Sequence, residues 1–257
     1  MTIFNETSWT PELMFNFIDF FFGFKPHSYQ KRLLKACLET KRIAAKFPRQ
    51  SGKSTTIAIY VLFKAITSKV SIIIVAPTQT QSSELYNKVR DFAIHNNTIE
   101  KLITKSTETE LKFVNGSRII SLPCGPDGKT IRGFTSDILV IEEAGHMKDQ
   151  IVGTVLIPMI ASKPNGQIIK IGTPWTRNHF YRSCFEDKNY IVISIDWQEV
   201  LEQGQYTQEF IEEQKSQLLD IEFQTEYGAM FIDDGNSFFP SSILEGIKLN
   251  YGMFVII

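Results

Sequence analysis

The strongest chemical signal in the sequence is Arg49-Gln50-Ser51-Gly52-Lys53-Ser54. A lysine after glycine, followed by a hydroxyl at the start of a helix, is the combination that holds nucleotide phosphates. Lys53 would reach the β- and γ-phosphates and Ser54 would ligate Mg²⁺. Backbone N–H groups of Gln50, Ser51 and Gly52, with Thr55 in the first helical turn, would cradle the phosphates. The full phosphate-loop pattern asks for a further glycine five positions before Gly52, where this sequence has Phe47. Arg49 places a guanidinium inside the loop, able to contact the γ-phosphate or to cross to another group; a plain surface arginine is the bland alternative.

A second constellation follows the apolar run Ile138-Leu139-Val140-Ile141, which ends in Glu142-Glu143. Acids at the C-terminal end of a buried parallel strand face the nucleotide crevice. Glu142, where Asp is commoner, would hold Mg²⁺ through water. Glu143 would orient and deprotonate the attacking water. Thr173, after the run Gln167–Ile171, stands where a hydroxyl can sense the γ-phosphate. Gln30, ahead of the loop, carries an amide whose donor and acceptor match the adenine edge.

These residues need a scaffold that brings strand ends together. Ile43–Phe47, Ser71–Ala76, Asp137–Ile141, Gln167–Ile171 and Tyr190–Ile195 read as strands, Ser71–Ala76 β-branched and apolar throughout and the last three as further buried strands, as in a sheet covered on both faces. Ser54–Thr67 and Gln79–Ile94 have helical spacing. Glu110–Val114 and Ser117–Ser121 flank Asn115-Gly116, which predicts a hairpin with a type I′ turn. Strand–helix alternation at this pitch predicts an α/β fold with a mostly parallel central sheet flanked by helices. Thr10-Pro11-Glu12 opens a phenylalanine-rich helix that should be buried or covered by a partner. From Asp196 the pattern turns helical, with Thr207 and Asp220 as caps. This divides the chain into an ATPase core with an N-terminal helical segment, residues 1–195, and a small helical lid or linker subdomain, residues 196–257.

Composition excludes other classes. The chain has 257 residues, 43% of them hydrophobic, which is enough for a core and rules out disorder. Its net charge of −1 makes whole-chain charge silent on nucleic acid, although Lys25–Lys64 holds ten basic residues and Glu199–Glu226 eight acids. Three separated cysteines form no C-x-x-C pair, against a disulfide framework or a cysteine-based zinc site. No apolar run reaches the roughly 20 residues that a membrane span requires, so no membrane partner is expected.

Taken in order, Tyr29-Gln30, the arginine-bearing phosphate loop, Ala76-Pro77-Thr78, Thr130-Ile131-Arg132-Gly133, Glu142-Glu143 and Gly172-Thr173-Pro174 resemble the ATPase domain of the large terminase subunit of tailed double-stranded DNA viruses. The resemblance spans about Pro26 to Phe239, including Phe223–Tyr227 and Ser237–Phe239. It implies a RecA-like P-loop NTPase that hydrolyses ATP with Mg²⁺ and translocates double-stranded DNA into a procapsid. It also implies a homo-oligomeric ring, usually pentameric, acting with the portal protein and the small terminase subunit in the host cytoplasm. The domain in isolation is expected to be monomeric. The family's roles fall on Gln30 for adenine, Arg49, Lys53 and Ser54 for phosphates and Mg²⁺, and Glu142 and Glu143 for metal and water. Thr173 takes the coupling role, and Arg132 becomes a candidate arginine finger.

Arg132 sits in Lys129–Phe134, flanked by Gly128 and Gly133, which reads as a loop at the sheet's edge able to project toward a neighbouring subunit. Arg49 is the rival finger, acting in cis; Arg132 holding DNA phosphate or pinning its loop is the further alternative. The resemblance also implies that Tyr251–Ile257 leads toward a nuclease domain, so this chain is expected to end before the first nuclease acid and to cut no DNA. A superfamily 2 helicase fragment and a non-catalytic nucleotide-binding scaffold are the competing readings.

Overall fold

The computed structural model describes residues 9–125 and 127–232. The chain opens with α1 (Pro11–Phe22), α2 (Ser28–Glu39), β1 (Arg42–Lys46), α3 (Lys53–Thr67), β2 (Ser71–Ala76), α4 (Gln79–Ile94) and α5 (Asn97–Glu100). Next come β3 (Ile103–Ser106), β4 (Glu110–Phe113), β5 (Arg118–Pro123), β6 (Ile138–Ile141), α6 (Asp149–Ile151) and β7 (Gln167–Gly172). It continues through α7 (His179–Phe185), β8 (Ile191–Ser194), α8 (Trp197–Glu202), α9 (Gln208–Gln217) and α10 (Asp220–Glu226).

Among the described residues one sheet has the order β3-β4-β5-β2-β6-β7-β1-β8. The six strands from β5 to β8 in that order are mutually parallel, and β3 and β4 add an antiparallel margin. Successive side chains along the buried strands face opposite sides of the sheet, with the two-residue period of the pleat. Ile43, Ile72, Ile74, Val140 and Ile169 face one apolar cluster with α1–α4 and the helices after β8. Ala44, Ile73, Leu139, Ile141 and Ile168 face a second cluster with the α6 region and α7. This is the α/β fold expected, with helices on both faces.

Thr10 caps α1 through its hydroxyl, as its sequence predicts. Met14, Phe17 and Ile18 are buried, and Phe17 and Trp9 each meet Phe63 of α3 edge-on, with centroids 5.4 and 4.9 Å apart. Edge contacts of this kind are worth about 0.5–1.5 kcal/mol each beyond area burial. Among the described residues no helix is long and apolar enough to cross a membrane.

Three expectations need correction. The hairpin turn spans three residues, Val114-Asn115-Gly116, because Phe113 donates to the Ser117 carbonyl and only Gly116 has a positive φ. Asn115 is held out of the left-handed region by its own side chain, which donates to the Ala65 carbonyl and accepts from Ser117 N–H. The strand at Ile191–Ser194 is an edge strand with Ile191 and Val192 exposed, not one covered on both faces. The cap of α10 is Leu219, with Asp220 inside the first turn. Tyr251–Ile257 and Ser237–Phe239 lie outside the described residues. The proposed break at residue 196 falls after β8, and Val200, Tyr206, Ile211 and Phe223 beyond it join the same apolar cluster as α1–α4.

Candidate active site

β1 runs straight into the loop that precedes α3. Phe47 is fully buried, fills the place of the absent glycine, and donates its N–H to the Gly172 carbonyl at the end of β7 (3.2 Å). The loop reverses through Gln50 (φ 55°) and Gly52 (φ 79°), and Ser51 Oγ donates to the Pro48 carbonyl (2.7 Å). The left-handed residue of this loop before Gly52 is thus a glutamine, which has a Cβ to accommodate. Gly52 is the N-cap of α3 and offers no side-chain acceptor, so the first N–H groups of a 15-residue helix remain open for an anion.

Glu142 lies at the end of β6, 96% buried, and accepts from Ser54 Oγ (2.6 Å) through Oε1. Its second oxygen is buried without a partner among the described residues. Burial is the main reason its pKa is pushed up from 4.5 to about 7, and the neighbouring Glu143 adds to it; Lys53 and Ser54 pull the other way. A carboxylate oxygen held in reserve beside a serine hydroxyl is the hard-oxygen donor set that Mg²⁺ uses, with phosphate and water completing the shell. The residues present therefore fit the metal. Among the described residues no cluster of three or more His, Cys, Asp or Glu offers another metal site.

Glu143 turns the chain with φ 51°, a left-handed conformation that costs a non-glycine residue about 1–3 kcal/mol. That turn aims its carboxylate back across the loop, where Oε1 meets Lys53 Nζ at 3.0 Å. The four residues Lys53, Ser54, Glu142 and Glu143 thus converge at the C-terminal end of the sheet.

β7 lies between β1 and β6, so its end touches both halves of the site. A Cβ on Gly145 would sit 2.4 Å from the Thr173 carbonyl, and one on Gly172 would sit 2.9 Å from Ala144 N. The two glycines bring the Glu143 turn and the Thr173 segment together backbone to backbone. Thr173 itself is buried.

Gln30 is 97% buried against the loop. Its Oε1 accepts from His27 N–H (2.9 Å), and its Nε2 lies 3.5 Å from the Ser51 carbonyl. Its amide here ties the start of α2 to the phosphate loop. Thr55 borders a cavity of 490 Å³ with Phe21, Phe22, Lys88 and Phe92.

Arg49 turns outward and forms a two-pronged ion pair with Glu226 of α10; its backbone N–H also donates to the Glu226 carbonyl (3.0 Å). That hydrogen-bonded carboxylate holds the guanidinium pKa above its ordinary value. Tyr206, in the turn between α8 and α9, donates its hydroxyl to the Arg49 carbonyl, so this turn and α10 hold the loop at two points. Arg132 is exposed, its backbone N–H donates to the Lys129 carbonyl (3.5 Å), and its side chain has no ion-pair or hydrogen-bond partner among the described residues. Its loop joins β5 to β6, both interior strands, so it is a crossover and not a sheet edge.

Sequence reasoning missed Glu226, His146 and Trp175. His146 follows Glu143 by three residues, a spacing that places the side chains together in one turn, and that was the available signal. Glu226 had none, being 177 residues from Arg49.

Residues 45–245 match the family model described as terminase large subunit, T4likevirus-type, N-terminal. The fold is similar to the large terminase ATPase domain of Thermus phage P74-26, with 20% identity, a TM-score of 0.72, and 84% of this chain and 98% of that chain covered. It is also similar to the HK97 bacteriophage large terminase, with 14% identity, TM-score 0.75, and coverage of 91% and 58%. A large terminase from a thermophilic bacteriophage, solved with ATP-γ-S, has 12% identity, TM-score 0.58, and coverage of 79% and 52%. This chain thus spans little over half the length of the last two.

Proposed function

This chain belongs to the terminase large-subunit family as its N-terminal ATPase domain, the motor domain of a viral large terminase, and from that premise we propose how its residues work. ATP binds with its β- and γ-phosphates over Gly52 and Lys53. Mg²⁺, when bound, neutralises phosphate charge from a position held by Ser54 and Glu142. Glu143 takes a proton from the water that attacks the γ-phosphorus.

One observation carries this reading: Lys53 and Glu143 are ion-paired while Ser54 and Glu142 are hydrogen-bonded, at the same strand ends. A charge pair between the phosphate-binding cation and the base is a resting arrangement. Phosphate competes for Lys53 and so frees Glu143 when substrate arrives. Family membership sets aside the helicase fragment. We further propose that hydrolysis drives double-stranded DNA into a procapsid. This would occur in a ring of such chains with the portal protein and small subunit, in the host cytoplasm, with Arg132 reaching the neighbouring nucleotide. We also propose that these residues cut no DNA.

ATP turnover by the purified chain, with and without DNA, tests the reading. Hydrolysis that disappears in Glu143→Gln supports it; full turnover in that variant overturns it.

A further inference from the structure

Among the described residues the Glu143 carboxylate lies within 4 Å of two nitrogen-bearing side chains, Lys53 at the phosphate loop and His146 outside it. Oε1 faces Lys53 at 3.0 Å, while Oε2 faces His146 Nδ1 at 3.9 Å, a near contact longer than a hydrogen bond. His146 is not loosely placed. Its backbone N–H donates to the Glu143 carbonyl (2.9 Å), closing a tight turn. Its ring lies on Trp175 with centroids 5.3 Å apart and planes 29° from parallel. Asn178 Nδ2 holds the intervening Gly145 carbonyl at 2.6 Å. Trp175 is anchored in turn, its carbonyl accepting from Ile232 N–H (2.8 Å). An imidazole and an indole that are both substantially exposed, yet stacked and fixed at the backbone, form a built arrangement beside the base.

We propose that His146 is a positioning residue for Glu143, holding the carboxylate toward the attacking water after ATP has taken Lys53, with Trp175 as the platform that fixes the imidazole. This rests on Glu143 being the catalytic base. In the resting state Lys53 restrains the carboxylate. Once phosphate claims the lysine, an unrestrained Glu143 would sample several rotamers, most of them unproductive. A short swing brings Oε2 into reach of His146 Nδ1–H, which restrains that oxygen and leaves the other for the water. Misplacement by about 1 Å can cost around a hundredfold in rate. The same stack tells Trp175, and through it Ile232, which partner Glu143 has.

Steady-state kinetics and ¹⁹F NMR on 5-fluorotryptophan-labelled protein test this. His146→Ala and Trp175→Ala should each lower kcat about tenfold or more and leave the Kd for ATP-γ-S within about twofold. His146→Asn, whose amide nitrogen stands near the place of Nδ1, should recover much of the loss. The Trp175 resonance, assigned by its loss in Trp175→Phe, should shift when Mg²⁺ and ATP-γ-S are added, and His146→Ala should abolish that shift. In a Glu143→Gln background His146→Ala should change nothing further. A wild-type kcat in both alanine variants, or no rescue by asparagine, would overturn the role of His146. Turnover surviving in Glu143→Gln would instead overturn the catalytic reading beneath it.

Discussion

Lys53 Nζ and Glu143 Oε1 stand 3.0 Å apart, so the cation proposed to bind phosphate and the carboxylate proposed to activate water are ion-paired with each other. Binding and chemistry should separate on mutation. Lys53→Ala should weaken ATP binding at least tenfold. Glu143→Gln, with its side chain no longer ion-paired to Lys53, should bind ATP as well as wild type or better and fail to hydrolyse it. Filter binding and single-turnover hydrolysis read the two effects, and equal binding defects in both variants would refute the division of labour.

Glu142 gives a pH dependence. Its pKa is about 7 in the folded chain against 4.5 ordinarily, so the folded state keeps a proton that the unfolded state loses. Its contribution to stability is therefore most favourable below pH 4.5 and declines as pH rises toward 7. Mg²⁺ held by Glu142, as proposed, would compete with that proton. Mg²⁺-dependent nucleotide affinity should fall by up to about tenfold per unit as pH drops below 7. Calorimetric titrations across pH 5.5–8.5 check this against Glu142→Gln, in which the portion due to this carboxyl should vanish.

Arg49 and Glu226 predict a gain. The guanidinium side chain is 61% exposed, so breaking the pair should change stability by no more than about 1 kcal/mol. Glu226→Gln should, however, release Arg49 toward phosphate and tighten ATP-γ-S binding severalfold. Unchanged affinity alongside unchanged stability would mean that Arg49 serves only to hold α10.

Gly145→Ala would drive a methyl to within 2.4 Å of the Thr173 carbonyl, and neither backbone can yield cheaply. Overpacking of this order costs about 1–3 kcal/mol. Urea denaturation should show that loss, and ATPase activity should fall more than stability explains, because the turn displaced carries Glu143. Gly153→Ala, where nothing lies within 4 Å, is the control.

The unpartnered side chain of Arg132 predicts complementation. If it serves a neighbour's nucleotide, inactive Arg132→Ala and inactive Glu143→Gln should regain activity in mixed assemblies. The isolated domain, if monomeric, should be a poor ATPase, since an arginine finger is worth roughly 10³–10⁵ in rate. No recovery at any ratio in confirmed assemblies would favour Arg49.

Much of the site could be read from local pattern because strand ends and helix starts are local events. Gly52-Lys53-Ser54 opens α3, and Glu142-Glu143 ends β6, where apolar runs predict them. What escaped reading was decided across the fold. Asn115 would suit a type I′ turn by its own preference, but two carbonyls of the neighbouring α3 end bind its amide and reset the turn. Arg49 looks toward phosphate in sequence and toward Glu226 in structure, because α10 brings a carboxylate within hydrogen-bond reach of its guanidinium. Ile191–Ser194 is as apolar as an interior strand, yet strand order alone puts it at the edge. Gln50 gives no hint that it will carry a positive φ; the loop's closure imposes it.

The order of strands also sets an order of assembly on the ribosome. β1, which delivers the phosphate loop, pairs with β7 and β8 and with nothing earlier: Ala44 waits for Lys170, and Ile43 for Ile191. Over a hundred residues must be synthesised before either neighbour exists. Meanwhile β2 and β5, close in sequence, can find each other early. The first catalytic motif to be translated is thus among the last to gain a scaffold. A nascent chain that has passed Ser54 but not β7 presents an unpaired apolar strand and has no nucleotide site to steady it, and in that interval chaperones have most to hold.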